Sequence, residues 1–193
     1  MRTSCGAGGV GMRHILGMVL AMMLPQAAWA QQVELADVVA VADGDLNDDA
    51  TRDRAVLVSR DGDLDLYVYL SADVPDERVL AGKGTAIAFA GNAWGTEPEL
   101  SITERGAIRL VSKNEAIGRG RWTDTLTILY RDGQVVVGGY TYVARDTLDL
   151  DYRYDCDVNL FNGKGFFNDE PFRTNRRAMP VETFSRDGIC PEG

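Results

Sequence analysis

The sequence is nearly free of histidine and poor in cysteine, and both shortages narrow the chemistry open to it. Its 193 residues include one histidine, His14, and three cysteines. His14 lies in a segment that we expect to be removed, so the mature protein would contain no histidine. It would then lack the base of Ser-His-Asp and Cys-His catalysis and any histidine ligand for zinc. Long apolar runs are also missing beyond residue 30, where none approaches the roughly 20 residues that span a bilayer.

The first 30 residues have the pattern of a secretory signal peptide. Two arginines precede an apolar run at residues 15–24, Pro25 ends that run, and Ala28-Trp29-Ala30 fits the small-x-small cleavage pattern. A run of about ten residues is too short for a membrane anchor. We therefore predict cleavage before Gln31, a periplasmic or secreted protein, and a single β-rich domain over residues 31–193.

The net charge of the predicted mature chain narrows the classes of partner that it could bind. Removal of residues 1–30 takes away two arginines and no acid, which leaves 18 basic and 29 acidic residues and a net charge of −11. An acidic surface argues against nucleic acid and anionic lipid as partners, so an unknown protein or a glycan is expected instead.

Two cysteines remain after cleavage, Cys156 and Cys190. In an oxidising compartment we expect them to form a disulfide, the alternative being two buried free thiols. Closing a loop of about 35 residues should stabilise the fold by about 3 kcal/mol or more. The pairing would leave no free thiol for nucleophilic chemistry.

Strand and turn signals dominate the chain beyond residue 30. Three hairpins are predicted, each with two β-prone arms around a glycine-containing turn. Their arms are residues 54–60 and 64–70, 99–103 and 107–111, and 124–130 and 134–143. No segment shows a sustained helical period. The pattern predicts a mainly β fold, built from antiparallel hairpins in a meander within one small domain.

A further strand is predicted to begin at Asp149, where apolar and polar residues alternate up to Leu160. Asp149, Asp151, Asp155 and Asp157 fall on its polar face. Such a face could carry the two carboxylates of a glycoside hydrolase, about 5 to 10 Å apart. A solvated strand face explains the same pattern and is the interpretation we favour.

An acidic loop is the clearest chemical feature of the sequence. Oxygen-bearing side chains recur at alternate positions in Asp45-Leu46-Asn47-Asp48-Asp49-Ala50-Thr51-Arg52-Asp53. Calcium prefers six to eight oxygen ligands, so Asp45, Asn47 and Asp49 could converge on one ion. An EF-hand is excluded, because it requires glycine at loop position 6 and glutamate at position 12, where this chain has Ala50 and Val56. An acidic turn without an ion is the alternative.

Residues 38–58 resemble an FG-GAP or VCBS-type repeat, in which a D-x-[DN]-x-D-G-x-x-D loop joins two strands and holds calcium. The resemblance implies structural calcium, with side-chain ligands at Asp45, Asn47, Asp49 and Asp53 and a carbonyl ligand at Thr51. Ala50 departs from the glycine of the family pattern, at a position that often needs a permissive backbone. Because the chain has one copy of the motif, a complete propeller is not expected.

These features favour an exported, calcium-stabilised binding or interaction module over an enzyme. A carboxylate-based glycan hydrolase and an envelope inhibitor or immunity-type protein are the alternatives. The acidic loop alone does not distinguish among them, since a structural calcium site serves a module of any of these kinds.

Overall fold

The computed structural model of the protein describes residues 34–74, 77–91 and 93–192. The predicted signal peptide lies outside these ranges. Twelve strands and two short 3-10 helices, Leu35–Asp37 and Val181–Thr183, make up the regular structure described, and none of it is a helix long and apolar enough to cross a membrane. The strands are β1 (Val38–Gly44), β2 (Asp53–Arg60), β3 (Asp63–Ser71), β4 (Arg78–Phe89), β5 (Glu99–Ile102), β6 (Ala107–Asn114), β7 (Gly120–Arg131), β8 (Gln134–Asp146), β9 (Arg153–Asn159), β10 (Lys164–Phe167), β11 (Glu170–Arg173) and β12 (Met179–Pro180).

The strands form two antiparallel sheets whose spatial order follows the chain. The first sheet has the order β1-β2-β3-β4, and the second runs from β5 to β11, with β12 pairing to β8. Each sheet is therefore a meander, as the hairpin signals predicted. Within the described ranges neither sheet closes into a barrel or repeats as a propeller blade, so the predicted fold class is confirmed.

All three predicted hairpins are present. Asp61-Gly62 joins β2 to β3 and Asp132-Gly133 joins β7 to β8, and all four of these residues have positive φ angles, from 51° to 93°. Positive φ at both central residues defines the type I′ turn, whose twist matches that of the flanking strands. The turn between β5 and β6 ends at Gly106, which also has a positive φ of 71°.

The strand predicted from Asp149 begins four residues later, which corrects the sequence reading. Residues 149–152 form a turn in which Tyr152 N–H donates to the Asp149 carbonyl at 3.2 Å, and β9 starts at Arg153. Leu150 is 87% exposed, so the alternation that included it does not reflect burial. Alternate side chains face the interior only from Tyr154 onward.

Strand β4 is difficult to recognise from the sequence, because its glycines resemble loop residues. A Cβ on Gly82 would lie 2.7 Å from the Val135 side chain, and one on Gly84 would lie 2.7 Å from that of Ile87. Both distances are shorter than normal carbon contacts. Glycine is therefore needed at residue 82 for close packing against Val135 of the second sheet, and at residue 84 for packing against Ile87 of β4 itself, at a cost in strand propensity.

Both sheets contribute to one buried apolar cluster. Its members include Leu57, Leu64 and Leu66 from the first sheet and Ile108, Leu126 and Ile128 from the second, together with other residues of both sheets. Strand β7 shows the pattern most simply, because Asp124, Leu126 and Ile128 alternate inward while the threonines between them are less buried. The buried surface is continuous from one sheet to the other.

Cys156 on β9 and Cys190 near the carboxyl end have their sulfur atoms 2.01 Å apart, at disulfide distance. Cys156 is completely buried, and its α-carbon lies 6.2 Å from that of Cys190. This link joins the segment after β12 to the centre of the second sheet. The segment carries Arg186, whose side chain reaches the core.

We predict that replacing both cysteines with alanine lowers the free energy of unfolding by about 3 to 4 kcal/mol, because the unfolded chain regains the entropy of an open loop. Urea denaturation measures the change. Reductant should destabilise the wild-type protein and leave the double variant unaffected. Equal stability of the two proteins under oxidising conditions would contradict the link.

Candidate functional site

The acidic loop joins β1 to β2, and the pairing of these strands brings its two ends together. Gly44 and Asp53 are the last partners in the register, so residues 45–52 form the connection. Leu46 is only 5% exposed and anchors the loop to the buried cluster. The loop is thereby held at both ends and near its start.

The Asp45 carboxylate organises the first half of the loop. One of its oxygens accepts backbone N–H groups from Asp48 at 2.7 Å and Asp49 at 3.2 Å, and the other accepts that of Ala50 at 2.8 Å. Three donors on one carboxylate curl the backbone around the side chain. Both calcium-binding loops and acidic turns without an ion have such a tight turn.

Asp49 is held by its neighbours at alternate positions. Its Oδ1 accepts the hydroxyl of Thr51 at 2.5 Å and the Thr51 backbone N–H at 2.8 Å, while its Oδ2 accepts the Asn47 amide at 2.7 Å. The Thr51 hydroxyl bond, with these others, holds the pKa of Asp49 below its usual value. Three of the predicted ligand residues thus lie side by side, with Asp49 charged at neutral pH.

Asp53 closes the loop from within the core. It is completely buried, and its two oxygens accept the backbone N–H groups of Leu46 at 2.8 Å and Ser71 at 2.9 Å. A buried carboxylate is tolerated only where such donors compensate its lost hydration. Asp53 therefore ties the loop to the end of β3 as well as to its own first residues.

Asn47 supplies the one buried side-chain polar atom of the loop that lacks a hydrogen-bond partner among the described residues. Its Oδ1 is buried and accepts no hydrogen bond, although its amide nitrogen donates to Asp49. Burying an unsatisfied carbonyl costs about 1–3 kcal/mol. Such an oxygen can still accept a hydrogen bond or ligate a cation.

The oxygen atoms of the loop are of the type that calcium binds, but the side chains are not arranged around a common point. Within residues 34–74, 77–91 and 93–192, no group of three or more acidic, cysteine or histidine side chains is placed to hold a metal ion. Asp45, Asp49 and Asp53 direct their oxygens to N–H groups, yet a carboxylate has about four acceptor sites and retains some of them. The oxygens of these residues, of Asn47 and of the Thr51 carbonyl are the hard ligands that calcium prefers.

The four acids proposed for a hydrolase do not share one arrangement. Asp149 and Asp151 lie in the turn before β9 and are exposed. Asp155 is half-buried beside Arg153, at 3.0 Å, and Asp157 is exposed and accepts the Thr141 hydroxyl at 2.7 Å. Their partners are side chains of the sheet's own surface.

A second polar site was missed in the sequence. Asp124 is 6% exposed on the inner face of β7, where both oxygens bind Arg186, at 2.7 and 3.1 Å. The Tyr140 hydroxyl also donates to Asp124, at 3.2 Å, and burial followed by the Asp124 charge raises the pKa of Tyr140. Because Asp124 shares the inward period of Leu126 and Ile128, the sequence did carry a signal for a buried acid.

This ion pair borders a hollow of about 290 Å³ lined also by Phe89, Trp122 and Tyr142. Arg186 donates to the Ile87 carbonyl as well, at 2.7 Å, and so connects β4 to β7. Burial is the main cause of a raised pKa for Tyr142. The hollow combines aromatic rings with polar groups, the usual lining of a small-ligand site.

Comparison of the chain with protein-family models, with curated proteins and with solved structures found no match. The resemblance of residues 38–58 to FG-GAP repeats therefore stays a prediction from the motif.

The backbone at Ala50 leads to a prediction about stability. Ala50 has a φ of 64°, in the left-handed region where the family pattern has glycine. We expect Ala50→Gly to raise the free energy of unfolding by about 0.5–1 kcal/mol in chelator, because the steric cost of Cβ is removed. Ala144→Gly, in a strand without positive φ, should instead lower it by a similar amount. A loss of stability in Ala50→Gly would contradict this account.

Proposed function

We propose that this protein is an exported β module that holds a structural calcium ion in the loop from Asp45 to Asp53 and whose role is binding. The observation that carries the proposal is the buried, unpartnered Oδ1 of Asn47 within a loop of oxygen donors. A cation at this point would satisfy that atom and offset the repulsion between neighbouring carboxylates.

Each predicted ligand would contribute differently to the ion. Asp45 and Asp49 would offer carboxylate oxygens that retain acceptor sites beyond their backbone contacts, and Asn47 would offer its free amide oxygen. Asp53 would keep the loop attached to Ser71 while presenting an outer lone pair. The ion would therefore join β1, β2 and β3 through residues that already contact all three.

Calcium in this loop would stabilise the fold and take no part in a reaction. Its surroundings are the turns at one end of the sheets, since the hollow beside the loop is lined by residues 104–106 and 130–132. The cysteine pair at disulfide distance agrees with a protein of an extracytoplasmic compartment. A stapled β scaffold of this kind suits a binding module, in which rigid strands present a recognition surface.

Calcium should raise the melting temperature. Extracellular calcium modules bind in the range of about 0.1–1 mM, so about 5 mM calcium would stabilise the native state by about 1–2 kcal/mol. For a domain of this size the expected shift is about 2–8 °C relative to chelator. Differential scanning calorimetry provides the measurement, and magnesium at equal ionic strength controls for screening.

Two matched variants locate the effect in the loop. Asp49→Asn removes a predicted ligand charge and should abolish most of the shift, whereas Asp48→Asn removes the same charge at a non-ligand position and should preserve it. Asn tolerates the positive φ of 63° at residue 48. A calcium shift that is absent from the wild type, or that both variants retain in full, would refute the site.

A further inference from the structure

The hollow beside Asp124 lies where the inner face of the second sheet changes from aliphatic to aromatic. Along β7 the inward residues run from Ile128 and Leu126, which are buried, to Asp124 and then to Trp122, which is half-buried. Tyr142 and Tyr154 continue the same row on β8 and β9. The apolar cluster therefore ends in a row of rings that the first sheet covers only in part.

Three aromatic rings meet at this hollow. The rings of Trp122 and Tyr142 lie within 21° of parallel, with centroids 6.4 Å apart. Phe89, at the end of β4, meets Trp122 at 64° with centroids 6.1 Å apart, and its side chain is 45% exposed. Aromatic rings that border a hollow offer contacts to the apolar face of a ring-shaped ligand.

A buried network of Arg186, Asp124 and the Ile87 carbonyl holds one side of this hollow in place. Arg186 binds both oxygens of Asp124 and the Ile87 carbonyl, so strands of both sheets are tied to the segment after β12. Cys190 connects that same segment to β9. Groups held from several directions lose little freedom when a ligand arrives, and this lowers the entropic cost of binding.

Besides the paired Asp124 and Arg186, the hollow has polar groups on three further side chains. Asp63, Trp122 and Tyr142 all line it. Across residues 34–74, 77–91 and 93–192, the Asp63 carboxylate, the Trp122 indole N–H and the Tyr142 hydroxyl form no hydrogen bond or ion pair. Tyrosine and tryptophan side chains usually find such a partner when they are buried. Here one acceptor, one donor and one hydroxyl are unused beside aromatic faces.

We propose that this hollow binds a sugar ring of a neutral oligosaccharide, an inference that rests on the proposed role as a binding module and names its ligand class. The apolar face of a pyranose would pack against the aromatic side chains that line the hollow, and its hydroxyls would accept from the Trp122 indole N–H and donate to Asp63. A volume of about 290 Å³ lies at the lower end of small-ligand sites, about 300–1,000 Å³, and suits one ring of a longer chain.

The row of rings continues past this hollow, which favours an oligosaccharide over a single sugar. Tyr142 meets Tyr154 edge-on with centroids 5.7 Å apart, and Tyr154 meets Phe167 at 4.9 Å. A second hollow at that end is lined by Tyr154, Phe167 and Tyr152, the last of which is 49% exposed. Further sugar units would find aromatic contacts there.

A quaternary ammonium ligand is the competing chemistry, because aromatic cages bind such cations. Two observations favour the sugar. The rings of Trp122 and Tyr142 are stacked on each other and do not surround a point, and a methylated cation would leave the donors of both side chains unused. A neutral sugar uses the rings, the donors and the acceptor together.

The test measures binding of chitotetraose, maltotetraose, cellotetraose and laminaritetraose, with choline as the competing probe, by isothermal titration calorimetry on the purified protein. At least one tetrasaccharide should bind, and more tightly than its monosaccharide. Failure of all four at concentrations up to their solubility, or binding of choline alone, would overturn the assignment.

Variants then locate the site. Tyr142→Phe retains the ring and removes the hydroxyl, so it should weaken binding about tenfold, as should Asp63→Ala. Trp122→Ala should abolish binding, while Trp94→Ala and Asp73→Ala, which change exposed residues outside the hollow, should bind like the wild type. If Trp122→Ala fails to fold, Tyr142→Phe still decides the outcome. A bound sugar that is unaffected by Tyr142→Phe and Asp63→Ala would overturn the location.

The calcium loop provides an independent comparison. Asp49→Asn should retain full tetrasaccharide affinity below its melting temperature. If calcium raises the melting temperature but no tetrasaccharide binds, the sugar inference fails and the calcium module stands. If a tetrasaccharide binds without any calcium effect, the loop proposal fails and the sugar site stands.

Discussion

Burial of a single apolar cluster between two meanders is the constraint on which the rest of this structure depends. Neither sheet can hide its inner face alone, because each has one apolar face and an exposed reverse. Leu57 and Leu66 from one sheet and Leu126 and Ile128 from the other are all fully buried in the same cluster. The close approach of the sheets explains Gly82 of β4, a residue type that in sequence is typical of loops.

Acids at the margins of the cluster show how the fold handles charge. Asp53 is satisfied by two backbone N–H groups, while Asp124 is satisfied by the Arg186 side chain and the Tyr140 hydroxyl. A buried carboxylate left without such partners would destabilise the native state by several kcal/mol. Both acids therefore specify geometry: Asp53 fixes the end of β3 against the loop, and Asp124 fixes the carboxyl-terminal segment against β7.

Local signals in the sequence predicted the hairpins well and the long-range contacts poorly. Asp132-Gly133 predicts its turn because the type I′ conformation depends on those two residues alone. Leu150 misled the strand prediction, since alternation does not reveal whether anything covers the inner face. The loop residues were recognisable from their spacing, as was the pairing of the only two cysteines after residue 30. Arg186 could not be assigned to Asp124, because 62 residues separate them and no local pattern connects an arginine to a distant acid.

The two proposed ligand sites lie at opposite ends of β7. Trp122 and Asp124 line the aromatic hollow, whereas Tyr130 and Arg131 border the hollow beside the calcium loop. The eight residue steps along β7 from Trp122 to Tyr130 span about 27 Å. An ion at one end can therefore neither coordinate a sugar at the other nor alter its charge environment through about three Debye lengths at physiological salt. Any coupling between them must pass through the rigidity of the shared sheet, so calcium would contribute to recognition by keeping the scaffold folded and not by contacting the ligand.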